Sequence, residues 1–111
     1  MSKIIGTYSL DTKIWNVESD IGESHCDLEF KFVNNGVEIS ALENPIVGYE
    51  LYQDGVDFKI QGHQYDSSSM PNSIALTLGN NIGYKLTLWV ISNGTTESTE
   101  YVFTTPDWNE V

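Results

Sequence analysis

The chain has 111 residues, which points to one domain with a single core, and its 40% hydrophobic content excludes a disordered acidic segment. Sixteen acidic residues stand against five lysines, with no arginine, for a formal net charge of −11. So few cations argue against nucleic-acid binding, which depends on neutralising phosphates, and the lone Cys26 excludes an intramolecular disulfide or a cysteine-based zinc site.

Ile4–Leu10 reads as a first strand, with Gly6 as a bulge or bend. Asp11-Thr12 breaks it, Lys13–Val17 reads as a second piece of the same edge strand, and Glu18–Ser24 as a loop. His25–Val33 alternates cleanly: Cys26, Leu28, Phe30 and Phe32 point one way, Asp27, Glu29 and Lys31 the other. Cys26 is thus expected to be a buried hydrophobe, with His25 on the opposite face and unable to act as its base. Asn34-Asn35-Gly36 is a turn, Val37–Leu42 a short strand, and Glu43-Asn44-Pro45 a break.

Val47–Tyr52 predicts a strand, Gln53-Asp54-Gly55 a turn, and Val56–Ile60 a returning strand with Val56, Phe58 and Ile60 aligned. Gln61–Asn72 has no periodicity and reads as a long loop, in which His63, Tyr65 and Asp66 form a candidate site. His63 and Asp66 supply only two metal ligands. Asp54, Asp57 and Asp66 suggest calcium, but Asp54-Gly55 is explained by its turn, so neither metal nor cofactor is assigned.

Ser73–Leu78 alternates with Ile74, Leu76 and Leu78 inward, and Gly79-Asn80-Asn81 turns the chain. In Ile82–Pro106, Tyr84, Leu86, Leu88 and Val90 share one face, and Lys85, Thr87 and Trp89 the other. A polar turn over Ser92–Ser98 leads into a strand over Thr99–Thr105. Asn93-Gly94-Thr95 also fits a glycosylation acceptor, but is read as a turn. The sandwich spans residues 1–106, and 107–111 form a short acidic tail in which Trp108 docks on the domain edge. No window of a dozen residues has helical periodicity. Strand signals about every ten residues predict an all-β sandwich or barrel.

Val47–Gly55 resembles the third strand and hairpin turn of a fibronectin type III or related immunoglobulin-like domain. Ser73–Leu78 with Gly79-Asn80-Asn81 resembles the corner before the sixth strand, and Tyr84–Pro106 the last two strands. Tyr84 matches the tyrosine corner, which implies that its hydroxyl ties to nearby backbone. The likeness covers about the C-terminal sixty residues and implies a single immunoglobulin-like, antiparallel β-sandwich of about seven strands. The tryptophan usual in the second strand is replaced by phenylalanines, and Trp15 is a candidate for that packing role.

No nucleophile, metalloprotease or phosphate-loop motif is present, so an enzyme is not expected. Outward aromatics Trp15, Tyr52, Trp89 and Trp108 offer a contact surface. The expectation is a structural or decorating module of a larger assembly. Likeness to immunoglobulin-like domains on tailed-phage heads and tails implies a virion protein, made in a bacterial cytoplasm and bound to capsid or tail proteins. Without a leader or an apolar span, no membrane partner is expected. Two alternatives stand beside this: a carbohydrate- or cell-surface-binding module using Trp89 and Tyr52 as stacking groups, and an acidic DNA mimic that inhibits a basic host protein.

Overall fold

Alternation of apolar and polar residues builds two sheets whose apolar faces meet. The computed structural model describes residues 2–39, 46–66, 69–92 and 94–108. Glu43-Asn44-Pro45, the end of the strand expected over Val37–Leu42, Asn93 and the tail after Trp108 lie outside them. Among the described residues are nine strands: β1 (Ser2–Ser9), β2 (Ile14–Asp20), β3 (His25–Asn34), β4 (Val37–Ile39), β5 (Ile46–Gln53), β6 (Gln61–Asp66), β7 (Ile74–Thr77), β8 (Gly83–Ser92) and β9 (Thr95–Thr104). Sheet A runs β2-β1-β3-β4, with β7 also paired to β3, and sheet B runs β6-β5-β8-β9.

Ile4, Cys26, Leu28, Ile74 and Leu76 from sheet A pack on Tyr49, Leu51, Leu86, Leu88 and Phe103 from sheet B. Each large apolar side chain buried in this way contributes about 1.5–3 kcal/mol. At one side of the sandwich, β2 meets β9: Trp15 Nε1 donates to the Glu97 carbonyl at 3.1 Å, and the Ser19 and Tyr101 hydroxyls lie 2.6 Å apart. At the other side, Gln61 Nε2 donates both to the Tyr49 hydroxyl at 2.8 Å and to the Ala75 carbonyl at 2.9 Å, tying β6 to β7.

The N-terminal strands depart from the expected antiparallel plan. Lys13 lies in a turn and Ile14–Val17 belong to a separate strand, β2, which folds back on β1 and runs through Asp20, beyond the expected start of the loop. Residues 21–24 then carry the chain past the start of β1, so β3 lies parallel to β1. Ser2 holds this crossing: its buried Oγ accepts from the Gly22 and Glu23 amides, both at 2.9 Å, and donates to the Glu23 carbonyl at 3.2 Å. Gly6 is no bulge. It pairs in register with Val17 and Phe30, and a Cβ there would stand 2.6 Å from Leu88 Cδ1, so its place is set by close packing between sheets.

Asn35 and Gly36, with φ of 53° and 79°, close a two-residue hairpin between β3 and β4. The β8–β9 turn is shorter than expected, because Ser92 already pairs with Thr95. Before β8, the Gly79 amide donates to the Tyr84 hydroxyl at 2.6 Å. Thr105 Oγ1 accepts from the Ile82 amide at 2.9 Å and donates to the Gly79 carbonyl at 2.7 Å. These bonds pair the backbone of a buried corner that no strand ladder reaches.

The stretch after β5 reverses the expected assignment. Gln53-Asp54-Gly55 does turn, with the Val56 amide donating to the Gln53 carbonyl at 3.0 Å. Residues 56–60 then form no strand, and Gln61–Asp66, read from sequence as a loop, pairs along β5 as β6. A tight hairpin would have set Phe58 opposite Leu51. The observed register instead places Gln61 there, where its amide makes two hydrogen bonds, and brings Tyr65 against the core.

Candidate functional site

Strand alternation and register map the outer face of sheet B. Val102, Lys85 and Tyr52 lie side by side across β9, β8 and β5; Glu100, Thr87, Glu50 and Gly62 form the next rank; then come Ser98, Trp89, Gly48 and Gln64. Trp89 lies across Gly48: its indole nitrogen is 2.8 Å from where a Cβ on Gly48 would stand. Trp89 Nε1 donates to Gln64 Oε1 at 3.3 Å. Glu50 Oε2 accepts from the Tyr52 hydroxyl at 3.0 Å and lies 3.8 Å from Lys59 Nζ. That carboxylate raises the Tyr52 phenol above its ordinary pKa. A groove of about 340 Å³ runs between Trp89, Gln64, Gly62, Glu50 and Lys59, with Tyr49 and His63 also lining it.

Beyond β5, the loop over 54–60 closes this end of the sandwich, held by the Asp54 amide on the Gly83 carbonyl at 3.0 Å and the Ile60 amide on the Leu51 carbonyl at 2.8 Å. It carries the most exposed large apolar side chain among the described residues, Phe58 at 73%, with Ile60 at 48%.

The sequence-derived candidates fall in different places. Trp15 is half-buried on the inner face, its ring centroid 5.2 Å from that of Tyr8 and 6.0 Å from that of Phe30. It packs against the core and so is not the outward contact residue expected from sequence. Tyr52 and Trp89 share the outer face but do not touch in register: Tyr52 pairs with Lys85, whose Nζ sits 5.0 Å from its ring centroid, while Trp89 pairs with Gly48. Trp108 packs on the main core, its amide donating to Asn80 Oδ1 at 2.8 Å. His63, Tyr65 and Asp66 lie on an edge strand rather than a loop. Alternation puts His63 and Tyr65, with ring centroids 4.4 Å apart, on the inner side and Asp66 on the outer. Among the described residues, no three His, Cys, Asp or Glu side chains gather as a metal site.

Gly48, Gln64, Lys59 and Phe58 were not singled out from sequence. Gly48 and Gln64 become neighbours of Trp89 only through cross-strand register, Lys59 reaches Glu50 from the 54–60 loop, and Phe58 carries the signature of a buried strand residue.

At the opposite end of the sandwich, Tyr8, Lys13, Val90, Thr95 and Glu97 line a cleft of about 220 Å³. Burial, with Glu97 second, holds the Tyr8 phenol above its ordinary pKa. Lys13 adopts a left-handed backbone, φ 59°, at the β1–β2 turn. The other chemically reactive groups are unpromising as a catalytic pair. Cys26 is fully buried, and burial, with Asp27 second, pushes its thiol up to about 11. His25, on the opposite face, pairs with Asp27 at 3.2 Å. No helix among the described residues is long and apolar enough to cross a membrane.

Compared with known proteins, the chain matches no family model, no curated protein and no solved structure.

Proposed function

We propose that the protein is a non-enzymatic structural or decorating module that attaches to a larger assembly through the loop end of sheet B. The observation that carries this reading is Phe58, an aromatic side chain 73% exposed on a loop anchored at both ends by backbone hydrogen bonds. Buried aromatic anchors surrounded by a polar rim supply most of the energy of protein contacts. Asp54 and Asp57, exposed on the same loop, supply polar groups next to Phe58 and Ile60 along the chain. The two-sheet sandwich and the Tyr84–Gly79 bond support an immunoglobulin-like fold of the fibronectin type III kind. Fold analogy then favours a tailed-phage virion as the assembly, with capsid or tail proteins as partners and synthesis in the bacterial cytoplasm.

The test is gradient sedimentation of the tagged chain from lysates of phage-infected and uninfected bacteria. Wild type is expected to travel with particles in the infected lysate only, and Phe58→Ser to stay at the top of the gradient. Wild type that stays at the top of both gradients contradicts the proposal.

A further inference from the structure

The groove on the outer face of sheet B has a chemistry separate from the exposed loop end. Two glycines keep the middle of this face low: Gly48 is roofed by the Trp89 indole, and at Gly62 a Cβ would stand 2.8 Å from Lys59 Cδ and 2.9 Å from the Tyr49 carbonyl, so the Lys59 stem lies over the backbone there. The groove, about 340 Å³, falls at the small end of ligand-sized sites, about 300–1,000 Å³. Its wall is a flat aromatic ring seated on backbone and hydrogen-bonded at Nε1, hence fixed in orientation.

Around that ring stand hydrogen-bonding groups of both kinds. Gln64 spends Oε1 on the indole, and its Nε2 has no partner among the described residues. Glu50 spends Oε2 on Tyr52 and Lys59, and its Oε1 has no partner among them. Gly48 and Glu50 are two residues apart on one face, a spacing of about 7 Å, close to the width of one sugar ring. We propose that this groove binds a neutral pyranose sugar, with the C–H face of the ring on Trp89 and its hydroxyls on Gln64, Glu50 and Lys59.

The match is physical. An aromatic face is electron-rich, and the C–H bonds on one side of a pyranose present a weakly positive apolar surface to it. The same ring carries hydroxyls around its rim that both donate and accept. A purely apolar ligand would strand three polar side chains. An acidic sugar or a nucleotide would meet a protein of net charge −11 with a single lysine at the site.

The test is an NMR titration of the full chain, reading the indole N–H resonances of Trp15, Trp89 and Trp108. The probes are cellohexaose, maltohexaose, mannohexaose and chitohexaose at up to about 10 mM, enough to saturate a site with millimolar Kd. At least one sugar is expected to move the Trp89 signal saturably while Trp15 and Trp108 stay still. Trp89→Ala is expected to weaken binding roughly tenfold to a hundredfold. Gln64→Ala, an exposed change that removes the bond to Nε1 but keeps the indole seated over Gly48, should weaken it by a smaller factor and serves if Trp89→Ala fails to fold. The proposal is overturned if no sugar moves Trp89, or if Gln64→Ala binds as tightly as wild type. Its outcome is independent of particle attachment, which Phe58→Ser reports.

Discussion

The two outer faces of the sandwich are built from the same alternation but to opposite ends. The face of sheet A is a charged lattice: Asp20, Lys3 and Asp27 lie side by side, Glu18, Ile5 and Glu29 form the next rank, and Lys3 Nζ sits 2.8 Å from Glu29. Its side chains point into water, and its pairs are of the exposed kind that contribute little. The face of sheet B holds Tyr52, Trp89 and Val102, lets Trp89 and Lys59 lie down over Gly48 and Gly62, and ends in a loop that presents Phe58. A charged face keeps an acidic chain soluble; a face of anchored aromatics and missing side chains has shape that a partner can read. On the proposed function, recognition belongs to sheet B, and the face of sheet A serves to keep the chain in water.

If the outer face of sheet B is shaped by close packing and the outer face of sheet A is not, matched substitutions should separate them. Gly48→Val forces a branched side chain into the indole and is expected to cost about 1–3 kcal/mol. Thr7→Val, at the middle of the sheet A face, should stay within about 0.5 kcal/mol. Urea denaturation of both reads the contrast, and equal losses would break it. Next in size is Gln61→Ala, which removes the two bonds seating β6 and should cost about 1 kcal/mol. It should also speed hydrogen exchange along β6 while leaving β1–β3 protected, as seen by NMR.

Beneath the sheet A face, Cys26 predicts a pH dependence. Its folded thiol titrates near 11 against 9.0 when unperturbed, so the folded state holds its proton more tightly. That contribution is complete below about pH 9 and is lost as pH rises through about 11. The urea midpoint should therefore fall on the alkaline side, and fall less in Cys26→Ala. The smallest effect belongs to the Lys3–Glu29 pair. Lys3→Ala should lower Tm slightly in dilute buffer and not measurably in molar salt.

How much could be read in advance follows the same division of forces. β3, β7 and β8 were plain in the sequence, because each has one face in the core and one in water, which alternation encodes directly. β6 was not: it is an edge strand, and its inward residues Gln61, His63 and Tyr65 are amphipathic, so no apolar period marks it. The parallel β1–β3 pair was hidden because the bonds at its crossing join the Ser2 hydroxyl to backbone twenty and twenty-one residues away, which no local pattern marks. Trp89 was recognised as outward from its place opposite Leu88. The groove around it was not, since Gly48 and Gln64 reach Trp89 through registers that no local pattern specifies.

Hydroxyl-radical footprinting of the particle-bound chain against the free chain tests most directly whether recognition lies at the sheet B end. Phe58 should be oxidised readily when free and strongly protected when bound, with His25 on the sheet A face unchanged. Protection of His25 while Phe58 stays as reactive as in the free chain would contradict that assignment and place the contact on the charged face.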